Sequence, residues 1–223
     1  MDLYPWPELL IFDLDGTLID SKEDIAAALN QTLTERRLPT LAHEEIYAHV
    51  GNGVYNLIEG AVAAAGGDDV EAALAHFMEV YDRRLLERTH LYAGAAEIAA
   101  HFAGVPMALI TNKSMRFTRP ILDGLGMIGW FDPILARDTL PECKPHPAPL
   151  LHCIETHGAD PGRTWMVGDG ATDIDAGHAA GVRTVGCLYG FRTEEEVVGA
   201  RPDCLIRDLR ELPALFAERP DGG

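Results

Sequence analysis

Seven polar or charged residues stand in four short stretches of the chain, and most of them come directly after apolar residues. The stretches are LLIFDLDG, MALITNK, ECKPHP and MVGDGATD, and the residues are Asp13, Asp15, Thr111, Asn112, Lys144, Asp169 and Asp173. An acid that ends a buried run needs a compensating partner, because an unpaired buried charge is costly. The pattern therefore predicts one polar site that several segments share.

The acids in this set favour a hard divalent cation. Carboxylates held together repel each other and resist ionisation unless a cation lies among them. Oxygen ligands without His or Cys suit Mg²⁺, which takes one or two carboxylates and keeps places for water and phosphate. A further carboxylate can act as a nucleophile through an aspartyl-phosphate, or as an acid and base. Thr and Lys can donate to phosphoryl oxygens, so the set fits phosphoryl transfer.

Each stretch alone also has a simpler interpretation. Asp15 followed by Gly16 fits an ordinary turn, and Thr111 with Asn112 fits the start of a helix. Asp173 fits an acid favoured by a helix N-terminus, and Lys144 fits a solvated loop lysine. The combination, rather than any single stretch, indicates a site.

The segments around these stretches alternate between strand and helix patterns. Continuous apolar runs predict strands buried on both faces at 9–13, 105–112, 164–169, 184–190 and 203–208, with a weaker candidate at 131–136. Helical spacing of apolar residues predicts helices at 95–102, 115–122, 147–156 and 174–180. Such alternation is typical of an α/β fold with a doubly wound, Rossmann-like parallel sheet. In that fold the carboxyl ends of the strands meet at one edge, where ligands bind.

A long helical insertion interrupts this alternation after the first strand. Helices are predicted at 22–36, 44–50, 54–65 and 70–88, with Ser21 as the N-cap of the first and Asp24 as a weak capping-box partner. Ordinary strand-to-helix connections are far shorter. We therefore predict an α-helical cap domain at 19–89, inserted into an α/β core made of 1–18 and 90–223.

Composition excludes several classes of protein. The 223 residues include 18 Lys and Arg against 35 Asp and Glu, a net charge of -17 at pH 7. So acidic a chain repels nucleic acid and anionic membranes, and neither is expected as a partner. There is no apolar run of about eighteen residues and no signal-peptide pattern at the N-terminus, so a cytoplasmic protein is expected. A monomer and a homodimer are equally compatible with the sequence.

The four stretches resemble, in order, the four motifs of the haloacid dehalogenase superfamily of phosphohydrolases, and the insertion resembles the helical cap of that superfamily. The resemblance implies that Asp13 is the nucleophile and that Asp15 is the general acid and base. It implies that Thr111 binds the phosphoryl group with help from Asn112. Lys144 would hold the nucleophile and the phosphate together.

The same resemblance implies a Mg²⁺ site. Asp13, Asp169 and Asp173 would be ligands, Asp173 either directly or through water, and Asp15 would contribute its backbone carbonyl. The dehalogenases of the superfamily lack an acid at the position of Asp15, so its presence implies phosphate-ester chemistry.

Other stretches are similar to those of bacterial phosphoglycolate phosphatases. These are VGNG in the predicted cap, DIAAALN, TNKSMRFTRPIL and KPHPAPLL. The resemblance implies a small anionic substrate, 2-phosphoglycolate first of all, bound with the help of Gly51, Asn52, Gly53 and Lys113. The usual Ser-Arg-Asn after the first acid of the fourth motif is here replaced by Gly-Ala-Thr, which leaves the exact subfamily open.

Three alternatives stay open at this point. One is a phosphatase of a sugar phosphate such as N-acetylmuramate 6-phosphate. Another is a phosphosugar mutase, which would return the phosphate to the sugar. The third is a receiver-like signalling module that stores a phosphoryl group on an acid, although such a module needs neither an inserted cap nor the GDGATD stretch.

Overall fold

The first strand lies in the middle of a six-stranded parallel sheet. In a computed structural model, which describes residues 3–47, 49–51 and 53–219, the strands of this sheet are β1 (Leu9–Phe12), β4 (Met107–Ile110), β5 (Ile134–Leu135), β6 (Thr164–Gly168), β7 (Arg183–Cys187) and β8 (Cys204–Ile206). Their order across the sheet is β5-β4-β1-β6-β7-β8. Leu10 of β1 pairs with Met107 on one side and with Trp165 on the other. The α/β fold with a parallel sheet is thereby confirmed.

Helices cover both faces of this sheet. They are α5 (Ala95–His101), α6 (Met115–Gly124), α7 (Ala148–His157), α8 (Ala171–Ala180) and α9 (Glu194–Gly199), with short 3₁₀ helices at Pro161–Arg163 and Leu209–Leu215. Because side chains alternate along a strand, Leu9 and Ile11 belong to one buried cluster, and Leu10 and Phe12 belong to the other. This two-sided burial explains why the strands read as continuous apolar runs.

Four helices lie between two short strands that follow β1. The strands β2 (Ile19–Asp20) and β3 (His90–Leu91) pair in antiparallel fashion, so the chain leaves and returns at the same place. Between them are α1 (Lys22–Glu35), α2 (His43–Tyr47), α3 (Val54–Ala64) and α4 (Val70–Asp82). Apolar residues of these helices join the same cluster as Leu10 and Phe12. The division of the chain into a core and a cap at 19–89 stays a prediction.

Ser21 occupies the N-cap position of α1, as predicted, but makes no side-chain capping bond; its hydroxyl donates to the carboxylate of Asp15. The prediction of Asp24 as a capping-box partner was wrong. Asp24 is buried and accepts from the backbone N–H of Arg88 at 3.0 Å and of Thr89 at 2.8 Å. Partners outside the helix thus replace the local cap for both side chains.

The helix α4 ends earlier than the sequence pattern predicts. The pattern predicts a helix to residue 88, but α4 ends at Asp82, where the amides of Arg83 and Arg84 donate only three residues back. Further on, the amides of Arg88 and Thr89 donate to the Asp24 carboxylate instead of to helical carbonyls. The predicted helix at 44–50 is likewise shorter, because α2 ends at Tyr47 and a turn follows it at 49–51.

Candidate active site

The residues that follow β1 form a tight turn against the neighbouring strand. The amides of Leu18 and Ile19 both donate to the carbonyl of Leu14, so the chain reverses directly after Asp15. Gly16 has φ +82°, and a Cβ atom on it would lie 2.2 Å from Oδ2 of Asp169. Only glycine allows the turn to approach this carboxylate so closely.

Three carboxylates meet at the carboxyl edge of the sheet: Asp13 follows β1, Asp169 follows β6, and Asp173 lies in the first turn of α8. One oxygen from each of Asp13, Asp169 and Asp173 lies within 4.8 Å of the others. Oδ2 of Asp169 accepts from the N–H of Phe191 at 2.7 Å, and Oδ2 of Asp173 accepts from the N–H of Gly170 at 3.0 Å. The donor set is all oxygen and negatively charged, which fits a hard divalent cation.

Lys144 lies between two of these acids. Its Nζ is 2.8 Å from Oδ1 of Asp13 and 2.6 Å from Oδ1 of Asp173, and its side chain is 1% exposed. Burial opposes the charged form of this lysine, but the two carboxylates outweigh it and raise the pKa of Lys144 above its usual range. Lys144 therefore carries a fixed positive charge beside Asp13.

The cluster holds more negative charge than Lys144 compensates. Burial raises the pKa of Asp13 to about 7, with Asp173 adding to the effect and Lys144 opposing it. Burial, together with the charges of Asp13 and Asp173, raises the pKa of Asp169 to about 8. A cation bound among these acids would favour their ionised forms and relieve this repulsion.

Asp15 faces away from the three-carboxylate cluster. Both of its oxygens lie 2.9 Å from Nζ of Lys113, and the Ser21 hydroxyl donates to one of them. Burial opposes the charge on Lys113, but Asp15 raises its pKa above the usual range. Lys113, predicted from the sequence to bind substrate, is thus ion-paired with Asp15 in this structure.

The residues after β4 connect the site to the insertion. Thr111 is buried, and its hydroxyl oxygen accepts from the N–H of Lys113 at 3.1 Å, so its own hydrogen can be donated elsewhere. Nδ2 of Asn112 donates to the carbonyl of Lys144 at 3.0 Å and to that of Gly51 at 3.2 Å. Asn112 therefore holds the lysine loop and the loop before α3 together.

The glycine-rich loop of the insertion lies over the edge of the sheet. Gly51 and Gly53 have φ of +99° and +88°, values that favour glycine, and Asn52 lies outside the described residues. The guanidinium of Arg192, in the segment after β7, donates to the carbonyl of Val50. Contacts from the segments after β4 and β7 thus hold this loop beside the carboxylates.

Two cavities meet at Asp13 and Asp15. The larger, of about 480 Å³, is lined by Asp169, Asp173 and the segment around Arg192. The smaller, of about 60 Å³, lies on the other side of Asp15, between the insertion and the strand edge. Its walls are largely apolar and include Ile25, Val54, Leu57, Phe77 and Phe117.

The sequence pattern did not point to several residues that support this site. Ser21 looked like a helix cap, although it bonds Asp15, and Phe191 contributes only a backbone N–H, which leaves no trace in residue type. Tyr81 lines the small cavity from a helix whose apolar spacing is explained by packing alone. The sequence signal for Tyr81 is its hydroxyl, which is unusual on the otherwise apolar buried face of α4.

Comparisons with known proteins extend this description to most of the chain. A profile of the haloacid dehalogenase-like hydrolases matches residues 10–187. The chain is 41% identical over 214 residues to a phosphoglycolate phosphatase of Pseudomonas putida, covering 92% of this chain and 78% of that protein. It is 34% identical over 219 residues to a phosphoglycolate phosphatase of Nitrosococcus oceani, covering 95% and 97%. A crystal structure described as a predicted phosphoglycolate phosphatase of Haemophilus somnus aligns with TM-score 0.87 and 29% identity, covering 93% and 97%.

Proposed function

The chain belongs to the haloacid dehalogenase-like hydrolases and is a phosphatase, and we propose that it hydrolyses 2-phosphoglycolate with Mg²⁺ as its cofactor. The observation that carries the chemistry is Asp13, which lies at the meeting point of both cavities with Nζ of Lys144 at 2.8 Å. The substrate rests on relatives of that name that match more than nine-tenths of the chain.

Asp13, Asp169 and Asp173 would hold the Mg²⁺ ion through their carboxylates, with the backbone carbonyl of Asp15 as a further ligand. Their all-oxygen donor set and mutual distances within 4.8 Å support this assignment. When bound, the ion supplies positive charge that neutralises the phosphoryl oxygens during transfer.

Asp13 would attack the phosphorus atom and form an aspartyl-phosphate, while the bond to the leaving oxygen breaks. Asp15 borders the small cavity, and in its protonated form, released from Lys113, it would give its proton to that leaving oxygen. The same carboxylate would then take a proton from the water that attacks the aspartyl-phosphate, which restores Asp13 and releases phosphate.

Thr111, Asn112 and Lys144 would bind the oxygens of the transferred group. The hydroxyl hydrogen of Thr111 is available for donation, and the ammonium of Lys144 already lies against Asp13. Donors fixed before the reaction stabilise charge that develops during it.

The helices between β2 and β3 would form a cap domain at 19–89 over a core made of 1–18 and 90–223. The loop of Gly51, Asn52 and Gly53, together with Lys113, would contact the substrate. Among the described residues no helix is long and apolar enough to cross a bilayer. We place the enzyme in the cytoplasm, where a free small-molecule phosphate ester is its partner.

Phosphate release from a panel of esters tests this proposal. The panel contains 2-phosphoglycolate, N-acetylmuramate 6-phosphate, glucose phosphates and pyrophosphate, each with Mg²⁺ and with a chelator. We expect Mg²⁺-dependent release with a strong preference for 2-phosphoglycolate. Preference for another ester would overturn the substrate but leave the chemistry of Asp13 intact. Rearrangement of a sugar phosphate without release would indicate a mutase.

The variant Asp13→Asn tests the nucleophile. The amide is nearly the same size as the carboxylate but cannot form the acyl phosphate, so turnover should fall below detection while the circular dichroism spectrum stays unchanged. Normal turnover by this folded variant would contradict the assignment. A single slow turnover in the wild type, with no multiple turnover, would indicate a receiver-like module.

A further inference from the structure

The small cavity borders Asp15, the residue that would protonate the leaving oxygen. It is bounded by Asp13 and Asp15 on the sheet edge, and by Val54 and Leu57 of α3 and Tyr81 of α4 in the insertion. A water needs roughly 10–15 Å³ of such space, so this cavity of ≈ 60 Å³ holds about four to six water-sized groups. A two-carbon acid is of that size, whereas a hexose derivative would need the adjoining larger cavity as well.

Buried polar atoms without a hydrogen-bond partner are concentrated around this cavity. Within the described ranges, five buried side-chain polar atoms have no hydrogen-bond partner, and three of them belong to residues that line it: Tyr81 Oη, Asn112 Oδ1 and Ser114 Oγ. Tyr81 is 2% exposed, and Lys113 Nζ lies 5.1 Å from the centre of its ring. Because buried polar groups are nearly always bonded, such a concentration indicates a ligand that completes them.

The polar groups around this cavity suit a ligand that accepts hydrogen bonds. Burial raises the pKa of Tyr81 to about 12, so its hydroxyl stays protonated and can donate. The ammonium of Lys113 lies in the same wall, 2.9 Å from both oxygens of Asp15. Because Asp13 and Asp15 also line the cavity, this ammonium is the group that would offset their repulsion of a bound carboxylate.

We infer that this cavity is the subsite for the carboxylate of the leaving group, and that the hydroxyls of Tyr81 and Ser114 donate to that carboxylate. The inference rests on the proposed function and deepens it, since it restricts the substrate to phosphate esters of short hydroxy acids. Tyr81 belongs to α4 and Ser114 to the start of α6, so the carboxylate would bridge the insertion and the core.

Two substrates of equal chain length isolate this contact. Ethyl phosphate matches 2-phosphoglycolate but lacks the carboxylate. We expect Tyr81→Phe and Ser114→Ala each to raise KM for 2-phosphoglycolate about tenfold, the usual size of a lost hydrogen bond to a charged group. The same variants should change kcat/KM for ethyl phosphate by less than about twofold. The Ser114 hydroxyl accepts no capping hydrogen bond from the N–H groups of α6, so its replacement leaves that helix intact.

Tyr92→Phe is the matched control. The Tyr92 hydroxyl is also buried without a hydrogen-bond partner, but this residue does not line the cavity. Its loss should leave the ratio of kcat/KM values for the two substrates unchanged. Equal losses on both substrates in Tyr81→Phe would mean a structural role, and no loss on either would mean that only water completes the hydroxyls; both overturn the inference.

The wild type separates this inference from the proposed function. A clear preference for 2-phosphoglycolate over ethyl phosphate that survives both substitutions would refute the subsite alone. A wild type without that preference would instead refute the proposed substrate, and the carboxylate subsite with it.

Discussion

Two buried acids at the strand edge make stability depend on pH and on metal together. The ordinary pKa of an aspartate is near 3.8, and burial raises that of Asp13 to about 7 and that of Asp169 to about 8. Between about pH 4 and pH 8, Asp13 and Asp169 hold protons in the folded protein that the same carboxyl groups have released in the unfolded chain. Unfolding therefore releases protons, and stability without metal should fall as pH rises from about 4 to about 8.

A divalent cation should reverse this loss. Mg²⁺ binds the ionised acids and must displace their protons, so it binds more tightly at higher pH. We expect the rise in Tm on adding Mg²⁺ in place of a chelator to be clearly larger near pH 8 than near pH 6. Thermal melts followed by circular dichroism measure this difference. An equal rise at both values would show that the two acids do not control metal binding.

Gly16 is the residue whose backbone makes the carboxylate cluster possible. Gly16→Ala would place a Cβ atom 2.2 Å from Oδ2 of Asp169, at a φ of +82°. The acid or the turn must move, so we expect phosphatase activity to fall at least about a hundredfold, as small misplacements at a reacting centre do. Steady-state phosphate release measures this loss.

Gly66→Ala provides a control for the backbone effect alone. Gly66 has a similar φ of +75°, but its Cβ would have no neighbour within 4 Å. We expect it to lower the free energy of unfolding by only about 1–2 kcal/mol and to leave kcat unchanged. Comparable activity in the two variants would refute the argument from close approach.

At the scale of elements, the order of the strands accounts for what the sequence could predict. β1 and β6 are neighbours, so the acids that follow them share one edge, and apolar runs ending on Asp13 and Asp169 already indicate this. The parallel sheet follows from the same runs. The apolar runs and the acids at their ends each lie within a single short segment, so they can be recognised without knowing which segments pack together.

Contacts between distant segments explain what the sequence could not predict. Ser21 and Asp24 have residue types that suit a helix cap, but Asp15 and Thr89 compete for them in the folded chain. Strands β2 and β3 have two residues each, too few for any alternation to appear. The pairing of Lys113 with Asp15 likewise depends on the juxtaposition of β1 with the segment after β4.

Asp24 should be the main connection between α1 and the end of the insertion. Its carboxylate accepts from three donors: the N–H of Arg88, which reaches both oxygens, the N–H of Thr89, and the Thr89 hydroxyl at 2.7 Å. Asp24→Asn replaces one carboxylate oxygen by an NH₂ group, which cannot accept from the N–H groups of Arg88 and Thr89. We expect a loss of about 2 kcal/mol in the free energy of unfolding, measured by urea denaturation.

Asp69→Asn is the counterpart at an exposed position. Asp69 accepts from the N–H of Ala72 at 3.1 Å at the start of α4, and Asn keeps that acceptor. Its stability should change by less than about 0.5 kcal/mol. Similar losses in both variants would mean that the charge of Asp24, rather than its buried bonds, is what matters.

At the scale of the whole molecule, two contacts among the described residues join the glycine-rich loop of the insertion to segments at the acidic edge. Arg192 donates to the carbonyl of Val50, and Asn112 donates to that of Gly51. Closure of such a loop excludes water and completes a site, so the strength of these contacts should set how often the site is complete. Arg192 lines the larger cavity with Asp169 and Asp173, and its charge lowers the pKa of Asp169. A change in kcat/KM on its replacement therefore reports the Val50 contact only where the radius of gyration changes as well.

Arg192→Met therefore tests whether closure limits the enzyme. Loss of about 1 kcal/mol from this contact corresponds to a roughly fivefold smaller closed fraction. We expect kcat/KM to fall about fivefold for 2-phosphoglycolate and for ethyl phosphate alike, and solution scattering to show a larger radius of gyration. Arg119→Met removes the same charge from an exposed position on α6 and should change neither quantity. If Arg192→Met matches this control in both measurements, the Val50 contact does not govern closure.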